Sequence, residues 1–143
     1  MFEGLRTLRI KALADRITVE DAMQCLLGLS RDEVKVYFML LKNPMTVEEI
    51  AETLGKSKPT AYRIAVKLTN MGLLIRRPCI IERGGYYYKY EAVEPERVKR
   101  GIQEVLSIIC KRVLEALNQD FVEVMKKLQS EGAKGERDKE ASP

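Results

Sequence analysis

The chain has 143 residues, a formal net charge of +4 and 45% hydrophobic residues, values typical of one folded domain with at most an accessory element. It contains no histidine, no phosphate-binding glycine-rich loop and no nucleophile motif, so we expect no enzyme, no metal site and no cofactor. It also lacks an apolar run near the roughly 20 residues of a membrane span, and it lacks a secretory signal pattern. These features predict a cytoplasmic protein that acts by binding.

The first 16 residues mix apolar and basic side chains. Their spacing fits a strand over Leu8 to Leu13 nearly as well as a helix, so the structure of residues 1–16 stays open. Thr18 and Asp21 then have the spacing of a capping box, in which each side chain bonds the other residue's backbone. They predict a short helix that ends near Gly28.

Three more helix starts follow along the chain. Each begins at a serine or threonine that can cap a helix, with a glutamate three residues later in the first two: Ser30 with Glu33, Thr46 with Glu49, and Ser57. Asn43-Pro44, Gly55 and Gly72 end the three runs. Pro59 is compatible with a first turn, where backbone N–H groups have no partner within the helix.

The apolar period changes to two at Leu73. Residues 73–81 and 86–93 alternate as paired strands do, and Arg83-Gly84-Gly85 between them suits a tight turn, so we predict a β-hairpin. Its second strand carries a tyrosine cluster, Tyr86 to Tyr88 and Tyr90, whose even-numbered members fall on one side. We expect this stripe to pack against helices or a neighbouring subunit; base stacking is the alternative.

A last helix is predicted to begin at Glu94-Pro95-Glu96 and to continue to Gln129. Its apolar stripe is longer than the core of one small domain, so we expect it to pair with a second copy. The stripe comprises Val98, Ile102, Val105, Ile109, Val113, Leu117, Phe121, Val124 and Leu128.

Residues 130–143 are predicted to be a disordered, solvated tail. Cys25, Cys79 and Cys110 are predicted to be small buried thiols, with a redox link between two copies through Cys110 as the alternative.

Charge is concentrated in one window, because residues 53–81 contain six Lys or Arg residues and no Asp or Glu. The window spans the predicted helix-turn-helix and the first hairpin strand, so a polyanion is the expected partner. Candidate base-contacting residues occupy the first turns of the second helix: Lys58, Pro59, Thr60, Tyr62 and Arg63. Candidate phosphate contacts are Thr46, Lys56, Ser57 and Lys67, and candidate wing contacts are Arg83, Gly84, Gly85 and Lys89. Arg76 and Arg77 fall on opposite strand faces, so at most one should face DNA.

Four segments together resemble the TrmB-like and Lrp-related winged helix-turn-helix regulators, which are common in archaea. They are residues 27–37, LGLSRDEVKVY; residues 45–51, MTVEEIA; residues 55–62, GKSKPTAY; and Gly72-Leu73-Leu74. The resemblance implies a homodimeric transcription factor whose helix over residues 58–71 lies in the major groove with the wing beside it. Larger TrmB-like proteins carry a C-terminal sugar-binding domain, whereas this chain resembles a short form, so sugar sensing is not carried over. Pro59 stands where such proteins usually have a small polar residue.

The sequence thus predicts a mainly α fold with a small β-hairpin. Residues 17–93 form a winged helix-turn-helix and residues 94–129 a dimerisation helix. The expected function is regulation of transcription by a homodimer bound to double-stranded DNA, with no small-molecule effector identified. A protein-interaction module of the transcription or replication machinery is one alternative. A sequence-tolerant chromatin protein is another.

Overall fold

The computed structural model describes residues 17–140, with side chains described up to residue 135. Residues 1–16, for which the sequence left the structure open, lie outside this range. In chain order the elements are α1 (Val19–Leu27), α2 (Arg31–Lys42), α3 (Val47–Leu54), α4 (Lys58–Asn70), β1 (Leu74–Ile80), β2 (Tyr86–Ala92), α5 (Pro95–Ala116) and α6 (Phe121–Glu140). The chain divides into two compact units between Glu104 and Val105. None of the described helices has the length and apolar character needed to cross a membrane.

Capping boxes begin the first three helices, as predicted. At Thr18, Ser30 and Thr46 the hydroxyl accepts a hydrogen bond from the backbone N–H three residues later, and the carboxylate there accepts one from the capping residue's N–H. Gly28 and Gly55 end α1 and α3 in the left-handed region, which glycine enters without a steric cost. The caps thus fix the positions at which the chain turns.

The core of the first unit lies between α2, α3, α4 and the inner end of the hairpin. Val36, Ile50 and Leu68 are completely buried and contribute one apolar side chain from each helix. The Tyr37 hydroxyl donates to the Val93 carbonyl at 2.9 Å, which joins α2 to the end of the hairpin. Burial raises the pKa of Tyr37 above its ordinary value.

The hairpin is antiparallel, as predicted, with Leu74 opposite Ala92 at its base and Ile80 opposite Tyr86 at its tip. Met45 adds a short third pairing, because its N–H and carbonyl bond the carbonyl and N–H of Tyr90 at 3.0 and 2.8 Å. The fold is therefore a winged helix, mainly α with a small β-hairpin.

The prediction of one helix over residues 94–129 is wrong, because α5 ends at Ala116 and α6 begins at Phe121. The N–H groups of Asn118 and Gln119 bond carbonyls three residues back, which tightens and ends α5. Asp120 then accepts from the Val122 N–H at 2.9 Å and starts α6. The apolar spacing continues through this break, so it concealed the turn.

The predicted disordered tail is also wrong as far as Glu140, since α6 continues to that residue. Residues 130–135 are all exposed, so the prediction of a solvated segment still holds for them. Alanine, lysine and glutamate favour helix, and residues 130–140 contain no proline that would interrupt the backbone hydrogen bonds. A charged composition therefore indicated solvation and not the absence of helix.

The cysteines differ from the prediction too. Cys25 and Cys110 are exposed and Cys79 is half-buried. Cys110 lies on α5 among exposed apolar residues, so the apolar neighbours that suggested burial do not cover it within one copy of the chain.

Candidate nucleic-acid interface

The first turn of α4 differs in charge from the first turns of the three helices before it. α1, α2 and α3 each carry two acidic residues there, whereas α4 carries none and has Lys58 and Pro59 instead. The Ser57 hydroxyl caps α4 by accepting from the Thr60 N–H at 3.3 Å and donates to the Thr60 hydroxyl at 2.9 Å. The positive end of the helix dipole is therefore not compensated by α4's own side chains, which makes it suited to an anion.

The outer face of α4 presents the side chains predicted to contact bases. Ala61, Ile64, Ala65 and Leu68 are buried and hold the opposite face in the core. Tyr62 is 55% exposed, and with Arg63, Val66, Lys67, Asn70 and Met71 it lines a shallow hollow along the helix. Among the described residues, Arg63 has no ion-pair or hydrogen-bond partner. Its guanidinium is free to bind an external acceptor.

The three candidate lysines of the helix-turn-helix are paired with carboxylates from α2 and α3. Lys56 lies 3.9 Å from Asp32, Lys58 lies 2.7 Å from Glu48 and Lys67 lies 2.8 Å from Glu33. The window over residues 53–81 lacks acids in the sequence, but folding brings acids from outside it into contact. Sequence reasoning missed these carboxylates, although the capping boxes placed acids in the first turns of both helices.

The Lys58–Glu48 pair is open to solvent, since both side chains are more than 60% exposed. The hydrogen bond from Lys58 lowers the pKa of Glu48, with a further contribution from the backbone N–H of Glu48 itself. An exposed pair of this kind contributes only about 0–1 kcal/mol. A phosphate can therefore displace Glu48 from Lys58 at small cost.

The Lys67–Glu33 pair is tighter. The lysine donates to both carboxylate oxygens, at 3.0 and 2.8 Å, and the Glu33 side chain is only 14% exposed. The same carboxylate accepts from the Ser30 N–H at 3.1 Å in the α2 capping box. Lys67 thus links α4 to the start of α2, a contact that competes with its predicted role at a phosphate.

The hairpin arginines lie on opposite faces, as predicted. Arg76 is opposite Tyr90 in the register, and its guanidinium lies 4.0 Å from the centre of the Tyr88 ring. Arg77 pairs with Glu91 on the other face. Arg83 is exposed in the turn, where Gly84 and Gly85 have φ angles of 96° and 90°, and Lys89 is half-buried on β2.

The tyrosine stripe changes character along β2. Tyr90 is 2% exposed and packs in the core, which confirms the packing prediction at the inner end. Tyr86 is 63% exposed near the turn, so within one copy of the chain it does not pack as predicted. Burial raises the pKa of Tyr90, and a hydrogen bond with Tyr86 is the main cause of the raised pKa of Tyr88.

Two further residues predicted to contact phosphate, Thr46 and Ser57, also cap helices. The Thr46 hydroxyl is the α3 cap, as Ser57 is for α4, so each contributes backbone geometry as well as a polar group. Within the described range, no group of three or more Cys, Asp and Glu side chains is placed to hold a metal ion.

A model of the family described as "Sugar-specific transcriptional regulator TrmB" matches residues 23–96 of the chain. The match covers the helix-turn-helix, the hairpin and the beginning of α5.

Two uncharacterized proteins of Methanocaldococcus jannaschii are similar in sequence. MJ1503 is 34% identical over 121 residues, which are 83% of this chain and 92% of that protein. MJ1082 is 42% identical over 92 residues, which are 64% of this chain and 76% of that protein.

Solved structures share the fold. A possible transcriptional regulator from Methanosarcina mazei Go1 superposes with a TM-score of 0.62 at 24% identity, over 69% of this chain and 85% of that one. The ST1889 protein of Sulfolobus tokodaii gives a TM-score of 0.55 at 22% identity, over 69% and 94% of the two chains.

Proposed function

Because this chain belongs to the TrmB family of transcriptional regulators, as its sequence motifs suggested, we propose that it regulates transcription by binding double-stranded DNA as a homodimer. In this proposal α4 lies in the major groove and the hairpin lies beside it at the minor groove. The observation that carries the proposal is the outer face of α4, where an acid-free helix start adjoins exposed Tyr62 and unpaired Arg63.

Arg63 is the side chain best placed to read sequence. Guanidinium can donate two parallel hydrogen bonds to guanine, and Arg63 gives up no described partner to do so. Tyr62 beside it offers a ring to thymine methyl groups, and the α4 start with Thr60 and Pro59 completes the base-contacting edge.

Lys56 is the proposed phosphate contact together with Lys58, which the sequence analysis placed among the base-contacting residues, because their carboxylate partners are exposed and exchange at small cost. The α3 and α4 caps at Thr46 and Ser57 supply polar groups beside them. Lys67 is left out of this set because Glu33 holds it.

The second copy is proposed to pack on the C-terminal helices. An apolar surface that one copy leaves uncovered comprises five residues that are each between 38% and 61% exposed: Leu106, Ile109, Val113, Leu117 and Leu128. A twofold dimer would present two α4 helices to successive major grooves about 34 Å apart, so the bound sequence should be an imperfect palindrome.

The base-contact prediction is tested by Arg63→Ala. Loss of a bidentate contact to guanine costs about 1–3 kcal/mol, so affinity for a selected duplex should fall roughly ten- to a hundredfold. Affinity for random duplex should fall much less. Fluorescence anisotropy titrations with both duplexes measure the two losses.

Arg100→Ala is the matched control, since it removes the same charge from an exposed position on α5. It should change neither affinity by more than about threefold. Equal losses for Arg63→Ala on selected and random duplex would rule out a sequence-reading role for Arg63.

Protein docking remains the second candidate function, and one observation favours it. The face around α4 mixes lysines with Asp32, Glu33 and Glu48, as protein-binding surfaces often do. A gel shift with random duplex at low and moderate salt separates the two, because docking of a protein predicts no shift at either salt concentration. Binding with no sequence preference would instead indicate a chromatin protein.

A further inference from the structure

The tip of the hairpin exposes two large apolar side chains side by side. Ile80 and Tyr86 are cross-strand partners in the register, and they are 89% and 63% exposed. The free energy falls when a partner covers apolar surface that was in contact with water. Solvation of the hairpin does not account for an isoleucine at this position.

The pair lies at the outer end of a row of side chains on one face of the hairpin, some of which contact each other. The Tyr86 and Tyr88 rings meet edge to face with centroids 5.4 Å apart, and Arg76 covers Tyr88 at 4.0 Å. The row continues inward to buried Tyr90. Tyr86 is therefore held against Tyr88, whose ring is in turn covered by Arg76.

The charge on this face is positive. Because side chains alternate between the two faces of a strand, this face carries Arg76, Pro78 and Ile80 of β1 and the even-numbered tyrosines of β2. Neither strand contributes a carboxylate to this face. Glu91 lies on the other face and is paired with Arg77. An anionic partner is thus favoured over a neutral or basic one.

The turn beyond the pair is narrow. Two backbone hydrogen bonds close it. The Ile81 N–H donates to the Gly85 carbonyl at 3.1 Å, and the Gly84 N–H donates to the Ile81 carbonyl at 3.0 Å. Gly84 and Gly85 have no side chains, and Arg83 is exposed beside them. Glu82 is exposed there as well, so the turn carries no net charge, but its bare backbone can approach a DNA groove closely.

We propose that Ile80 and Tyr86 form a wedge that enters the minor groove of the bound duplex, separates two adjacent base pairs and kinks the DNA. The inference rests on the proposed binding of double-stranded DNA. Apolar side chains that enter the minor groove unstack a base step and bend the helix, and the bend brings more protein surface against the backbone. Arg76 on β1 and Arg83 in the turn lie on either side of the pair and would neutralise phosphates beside the opened step.

The test uses a duplex selected from random-sequence DNA, labelled at both ends for energy transfer and carrying 2-aminopurine at successive positions. Wild type should shorten the end-to-end distance and raise 2-aminopurine emission at one step. The double variant Ile80→Ser, Tyr86→Ser should abolish both signals and weaken binding by about tenfold while keeping its preference for the selected sequence.

Tyr87→Ser is the matched control, because Tyr87 neighbours Tyr86 in the chain but lies on the opposite face of the hairpin. It should bend the duplex as wild type does. Bending by the double variant, or an equal loss of bending in Tyr87→Ser, would overturn the wedge.

Further outcomes separate the wedge from the proposed function. Wild type that binds the selected duplex without bending it would refute the wedge and leave DNA binding intact. Wild type that binds no duplex would refute both. If the double variant changed the sedimentation of the free protein, the pair would be a protein contact and the wedge would be wrong.

Discussion

Glu33 shows how one side chain can fix both the start of a helix and the position of another helix. Its carboxylate caps α2 and accepts from Lys67 of α4, and it is mostly shielded from solvent. Because Lys67 compensates this charge, removal of the lysine leaves a largely buried carboxylate without its cation.

Lys67→Met tests this structural role. It should lower the free energy of unfolding by about 1 kcal/mol, measured by urea denaturation followed with circular dichroism. The slope of log affinity against log salt should stay unchanged, whereas loss of a phosphate contact would reduce it by about 0.9. Lys35→Met, at an exposed position of α2, is the control and should leave stability within about 0.5 kcal/mol. If Lys67→Met had wild-type stability and a reduced salt slope, Lys67 would be a phosphate contact as first predicted.

At the scale of elements, α3 supplies the carboxylate that partly neutralises the positive charge at the start of α4. Glu48 is exposed, pairs with Lys58 and adds a negative charge where the proposed phosphate contact forms. In the proposed complex a phosphate takes the place of Glu48 at Lys58, so the carboxylate would oppose association.

Glu48→Gln should therefore raise affinity for DNA, by about two- to fivefold at low salt, with a smaller gain at high salt. Glu52→Gln on the same helix is the control, because Glu52 is exposed and has no ion pair among the described residues. Anisotropy titrations over a range of salt concentrations compare the three proteins. Equal gains for both variants would indicate a general charge effect, and the proposed competition at Lys58 would be wrong.

Local signals explain which elements the sequence could predict. Capping boxes and glycines act within a few residues, so the starts and ends of α1 to α4 followed from residues such as Ser30 and Gly55. The end of α5 did not, because Leu117 and Phe121 keep the apolar spacing and Asp120, which acts as a cap, is a weak signal beside it. The ion pairs were beyond sequence reasoning as well, since Glu33 and Lys67 are 34 residues apart and only the fold brings them together.

The whole molecule combines a winged helix that has its own apolar core with C-terminal helices that leave most of their apolar residues exposed. In α5, Val98 is buried in the core of the first unit, but Val113 is 50% exposed. This contrast is expected if the first unit folds within one copy and the second unit is completed by another copy. The apolar pattern of the sequence indicated such a face, but a pattern in one chain does not identify what covers it.

The dimer is tested by Val113→Asp. A carboxylate in an apolar interface is strongly disfavoured, so sedimentation should change from dimer to monomer at micromolar concentration. Affinity for a palindromic duplex should fall at least tenfold, because each half-site would then bind alone. Lys111→Asp is the control on the opposite side of α5, two residues away, and should remain dimeric. Circular dichroism should show a folded winged helix in both variants, since Val113 lies outside the first unit. A wild-type protein that sediments as a monomer, or a Val113→Asp protein that stays dimeric, would exclude this face as the dimer interface.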